Sequence, residues 1–144
     1  MPVIGFGFNK IAVEKKSAPA GKVGISNNIS IKNVEEKELN VGKNKQVGLK
    51  ISFEFASKYD PKIGEIALQG DLLFLEDSKK VKEIVKEFKK NKKLPKEIMT
   101  PVMNTLLAKC HIQALMESQA VNLPSPIPLP RVKVDGAQEK RYIG

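Results

Sequence analysis

The 144-residue chain contains one cysteine, one histidine and two arginines. The lone cysteine, Cys110, excludes an internal disulfide and fits a reducing compartment. One histidine leaves no paired-histidine spacing, and neither CxxC nor HExxH occurs, so no metal ion or cofactor is implied. No apolar run approaches the roughly 18 residues that a membrane span needs. Residues 3–13 lack a basic flank and mix glycine and lysine into their apolar positions, unlike a signal peptide. A soluble, cytoplasmic protein is expected. With 41% hydrophobic and 28% charged residues, the chain is long and apolar enough for one domain with a real core.

The scarcity of arginine qualifies the net charge of +9. Nine lysines crowd residues 79–96 against Glu83 and Glu87, so the excess is local. Lys79, Lys80, Lys82, Lys86, Lys89, Lys90, Lys92 and Lys93 form the candidate basic patch. Lysine meets phosphate as a point charge and lacks the bidentate fork that reads guanine edges. Such a patch suits non-specific attraction to polyanions or a plain solvated face, and not sequence recognition.

Hydropathy alternation locates the strands. Val47, Leu49, Ile51, Phe53 and Phe55 share one face over residues 47–58. Residues 59–62 (Tyr-Asp-Pro-Lys) read as a turn. The chain returns over residues 63–75, with Ile66, Leu68, Leu72 and Phe74 on one face, making a central hairpin. Gly70 marks a bulge or a close backbone approach. Earlier, Val23, Ile25, Ile29 and Ile31 alternate, with Asn27-Asn28 read as an interruption. Residues 35–45 read as a long exposed connection. At the start, Ile4, Phe6 and Phe8 share a parity that Ile11 and Val13 reverse, the mark of a β-bulge near Asn9-Lys10. Residues 17–21, with Pro19 and Gly21, close that strand.

Helices follow. Asp77-Ser78 offers an N-cap, and Val81, Ile84, Val85 and Phe88 fall at helical spacing. Residues 91–93 end this helix, Pro95 opens a short turn, and Thr100-Pro101 reads as the start of a second helix. That helix is apolar over a wide arc, from Val102 to Met116, which favours a subunit contact and hence a homo-oligomer. It runs out at Asn122-Leu123 into a segment alternating proline with Leu, Ser, Ile and Leu. In extended form its prolines would point one way and its aliphatics the other. It must dock, either capping its own domain or walling a groove for extended polypeptide. Leu123, Pro124, Ile127 and Leu129 are the candidate groove residues. Residues 133–144 read as a flexible C-terminal tail.

No catalytic constellation emerges. Cys110 and His111 are helix neighbours whose side chains diverge by about 100°, which suits a buried cysteine beside a partly exposed histidine. Glu65, Gln69 and Asp71 share a strand face and read as its solvated side.

The order of elements resembles that of SecB-like proteins, the fold of the bacterial protein-export chaperone. The likeness rests on Phe6-x-Phe8-Asn9-Lys10-Ile11-x-Val13, the Ser17-Ala18-Pro19-Ala20 break and the Gly64-Glu65-Ile66 strand start. It continues through Thr100-Pro101 and the exit Asn122-Leu123-Pro124, and covers roughly residues 4–132. The lysine-rich, arginine-poor composition also looks like a small archaeal family of unassigned function. The resemblance implies a single α+β domain over residues 1–132, with C-terminal helices on one face of a four-stranded antiparallel sheet. It further implies an oligomer and a groove for unfolded polypeptide. SecB-like chaperones are acidic and carry a second helix after the crossover. This chain is basic and has twelve residues beyond Val132, so the resemblance does not extend to the export-motor partner. A non-enzymatic binding protein is the leading expectation, and a non-specific nucleic-acid or ribosome-associated factor acting through the basic helix is the rival.

Overall fold

A computed structural model describes residues 3–42, 44–130 and 132; the tail expected from residue 133 lies outside them. Four strands, β1 (Val3–Lys15), β2 (Gly24–Val41), β3 (Asn44–Asp60) and β4 (Gly64–Leu75), precede two helices, α1 (Ser78–Asn91) and α2 (Lys96–Ala120). The strands form one antiparallel sheet in the order β1-β4-β3-β2, with the expected hairpin at its centre. Both helices lie on one face, α1 over β2 and β3, and α2 over β4 and β1.

The core is the apolar stripe of β3 and β4 closed by one row from each helix. Leu49, Ile51, Phe53, Phe55, Ile66, Leu68, Leu72 and Phe74 are buried, as alternation predicts. From α1 come Val81, Ile84 and Phe88, and from α2 Ile98, Val102, Leu106, Cys110 and Ala114. The other sheet face is a polar lattice. Asp71 accepts from Ser52 Oγ at 2.7 Å and Asn9 Nδ2 at 3.2 Å, and Gln69 donates to Glu54 at 3.0 Å. Glu65, Gln69 and Asp71 thus serve the solvated face they were assigned to.

The bulges at Asn9 and Lys32 keep apolar residues on the helix side. In β1, Phe8 pairs with Gly70 and Lys10 with Gln69, so Asn9 is the extra residue and the parity switch is real. A second irregularity, between Val3 and Gly5, turns Ile4 outward. Val3, not Ile4, packs against the core. In β2 the extra residue is Lys32, not the Asn27-Asn28 pair, through which the ladder runs in register. The Lys32 bulge brings Ile31 and Val34 to the same face, opposite Phe53 and Ile51. Gly70 marks a close approach, since a Cβ there would lie 2.2 Å from the Gly7 carbonyl.

Two further expectations fail for physical reasons. Residues 35–45 are not a connection: β2 runs to Val41, Gly42 turns at φ +66°, and β3 begins at Asn44. Their charged residues are weak strand formers, but partners on β3 organise them, as in the Lys50–Glu35 pair at 3.6 Å. The second helix begins at Lys96, with Pro95 as its cap and Pro101 inside it. Burying Ile98 rewards the added turn, while the proline forgoes one hydrogen bond. Asp77 is the N-cap residue of α1, as expected, although its side chain makes no capping hydrogen bond.

Candidate functional site

The end of α2 aims the chain at the open end of the sheet. Asn122 takes the left-handed conformation at φ +59°, its N–H bonds the Gln119 carbonyl at 3.3 Å, and the Leu123 N–H reaches Ser118 O at 2.8 Å. This is a Schellman stop with asparagine where glycine is commoner. Leu123 is buried against Gly64, where an added Cβ would meet Leu123 Cδ1 at 3.2 Å and the Glu14 carbonyl at 2.5 Å.

Beyond Leu123, residues 124–130 form an arm across the inner face. Its prolines have no N–H and cannot join a ladder, so its carbonyls are met by side chains. Tyr59 donates its hydroxyl to Pro124 O at 2.7 Å. Asn27 Nδ2 donates to Pro126 O at 2.8 Å, while its Oδ1 accepts from Ser57 Oγ at 2.6 Å. Asn27, Ser57 and Tyr59 all belong to the helix-covered face, Asn27 opposite Ser57 in register. Burial pushes the Tyr59 hydroxyl up to about 12, so it stays a protonated donor. The expected segregation of prolines from aliphatics fails. Pro126 is buried with Leu123, whereas Leu129 is 45% exposed, because the chain bends at Pro126-Ile127.

Between this arm and the chain entering β2, residues 19–25, lies a groove of about 990 Å³. One wall is residues 124–130, which include the candidates Pro124, Ile127 and Leu129; the other is Pro19, Gly21, Val23 and Ile25. No titratable group lines it. It offers apolar contact and main-chain polarity. Leu123, the fourth candidate, sits in the core and anchors the arm instead of lining the groove. Sequence reading missed the second wall and the Tyr59 and Asn27 clamps. A signal existed, since the alternation of residues 47–55, carried two steps further, sets Ser57 and Tyr59 on the inner face.

The basic patch is a separate surface. Lys79, Lys80, Lys82, Lys86, Lys89, Lys90, Lys92 and Lys93 are all exposed around the buried Val81-Ile84-Phe88 row. Lys92 Nζ rides 5.5 Å above the Phe88 ring. Among the described residues none of these lysines lies within 4.0 Å of a carboxylate oxygen. No α1 residue lines the groove.

Cys110 is buried and its thiol is pushed up to about 12, so it has no thiolate to offer at neutral pH. His111 is partly exposed and stands edge-on to Phe55 at 5.9 Å. Among the described residues no three His, Cys, Asp or Glu side chains form a metal-binding group, and no helix is long and apolar enough to cross a membrane. No protein-family model matches the chain, and no curated protein or solved structure matches it.

Proposed function

We propose that this protein is a non-enzymatic, SecB-like binding protein of the cytoplasm that holds extended apolar polypeptide. The observation that carries this reading is the apolar groove between residues 124–130 and the chain entering β2, residues 19–25. The arm supports it: a proline-rich, aliphatic segment rests on this sheet through carbonyls received by Tyr59 and Asn27. A homo-oligomer belongs to the same proposal. Its support is α2, which buries one row and leaves Leu107, Ile112 and Met116 exposed on other faces. The test is suppression of aggregation of an unfolded client, together with binding of apolar peptides by the purified protein. Stoichiometric protection supports the reading, and no effect at excess protein overturns it.

A second reading is favoured by the exposed lysines of residues 79–93, none of which meets a carboxylate among the described residues: non-specific polyanion binding of a nucleic-acid or ribosome-associated kind. Its signature is affinity for single-stranded RNA that falls steeply with salt. Reversing Lys82, Lys86, Lys89 and Lys90 to glutamate abolishes it. Binding indifferent to those reversals rules it out.

A further inference from the structure

β2 is an edge strand. Its Ile25 lines the groove, and residues 24–31 continue the free edge from there. In an antiparallel ladder alternate residues turn N–H and C=O away from the partner. Among the described residues no hydrogen bond reaches that free edge of residues 24–31.

Edges of this kind are pairing templates, and the rest of this sheet protects its own. β1, the opposite edge, is bulged near Ile4 and at Asn9 and carries Lys10, Glu14 and Lys15. The far half of β2 is bulged at Lys32 and carries Glu35, Glu36, Lys37 and Glu38. Residues 24–31 (Gly-Ile-Ser-Asn-Asn-Ile-Ser-Ile) have neither a bulge nor a charge, and pair regularly from Gly24–Asp60 to Ile31–Phe53. The arm beside them cannot close the edge. Pro124, Pro126, Pro128 and Pro130 have no N–H, and the Pro124 and Pro126 carbonyls are turned to Tyr59 and Asn27.

We infer that the groove receives an extended polypeptide as a fifth strand, paired by its main chain to residues 24–31 of β2. This rests on the polypeptide-binding reading and specifies how the guest is held. Main-chain bonds supply affinity without sequence demands, and alternate side chains supply preference. Guest residues on the helix side fall beside Ile25, Ile29 and Ile31 of β2, with Ile127 and Leu129 of the arm near the first of these, and are apolar. Those on the other side join Ser26, Asn28 and Ser30 and are small or polar. The partner is therefore an uncharged, proline-free segment of alternating character, about eight residues or 25 Å long. A second copy of this chain suits the edge less well. Symmetric pairing of two such edges centres near Asn27, the residue under the arm, and brings both arms to the two-fold axis.

The probe is a labelled ten-residue peptide alternating valine and threonine, read by fluorescence anisotropy against the full chain. Two analogues carry N-methyl groups, one on the valine amides and the other on the threonine amides. Only one of the two removes the donors that face β2, so one analogue binds roughly tenfold or more weaker than the other. Ile25→Lys, placed in the groove, lowers affinity by a similar factor with its urea midpoint retained. Ile11→Lys on the opposite edge does not. Equal binding by all three peptides overturns strand addition but leaves polypeptide binding standing. No binding by any of them overturns both. A self-association that Ile25→Lys dissolves, without peptide binding to the wild type, overturns the guest in favour of a second copy.

Discussion

The Tyr59 hydroxyl and the Pro124 carbonyl meet at 2.7 Å, joining the end of β3 to the first proline of the arm. The bond reconciles two needs. A buried phenol requires an acceptor, and a proline-rich segment carries carbonyls with no ladder to receive them. The same logic repeats one step along, between Asn27 and Pro126.

Tyr59→Phe removes that donor while keeping the ring. The loss of one buried hydrogen bond lowers unfolding free energy by about 1 kcal/mol, read from the urea midpoint at constant slope. Asn27→Ala releases both Ser57 and Pro126 and costs more. Equal stability of Tyr59→Phe and wild type contradicts the clamp.

Alkaline pH weakens the fold. The Tyr59 hydroxyl and the Cys110 thiol are both pushed up to about 12 by burial, above their ordinary 10.0 and 9.0. The native state therefore holds these protons more tightly than the unfolded chain does. Stability is intact below the ordinary thiol range, then falls as pH rises from about 9 towards 12. Urea midpoints between pH 8 and 11.5 check this, and Cys110→Ala flattens the early part of the decline. In Tyr142→Phe, which leaves Tyr59 as the only tyrosine, ultraviolet titration places the hydroxyl near 12.

Gly70→Ala is severe for a one-carbon change. The new Cβ meets the Gly7 carbonyl at 2.2 Å and Phe53 Cζ at 2.9 Å, and the carbonyl belongs to a paired strand that cannot retreat. A loss of about 3 kcal/mol is expected from the urea midpoint. Gly7→Ala, with open space around its Cβ, stays within about 0.5 kcal/mol.

Leu106 and Ile112 separate folding from assembly. Leu106→Ala hollows the core and costs about 2–5 kcal/mol. Ile112→Asp with Met116→Asp leaves the isolated fold nearly unchanged, because both side chains are more than half exposed. It dissolves the proposed oligomer in light scattering. An unchanged assembly means that α2 is not its interface.

Much of the fold was legible because burial here is one-sided. Five alternating positions over residues 47–55 identify β3, and the parity reversal between Phe8 and Ile11 marks the Asn9 bulge, since a strand with one wet face cannot hide a slip. Residues 35–45 were illegible because charged residues have no strand signal of their own and are ordered by partners across the ladder. The extra turn of α2 was masked by Pro101, a local breaker outweighed by the burial of Ile98. In the groove, one wall was readable as an apolar proline run. The other joins residues about a hundred positions away, as Asn27 does Pro126.

Composition and periodicity alone determined an α+β chain with one cysteine, a local lysine patch and a proline-aliphatic exit that had to dock. These are properties of neighbours in sequence, set by side-chain type and repeat length. The tertiary structure decided where the arm docks, that Leu123 serves the core while Ile127 and Leu129 face the groove, and which edge is left open. Those outcomes depend on which donors and which free strand edge come to lie opposite a segment that has carbonyls but few N–H groups. Only the packed sheet brings them there.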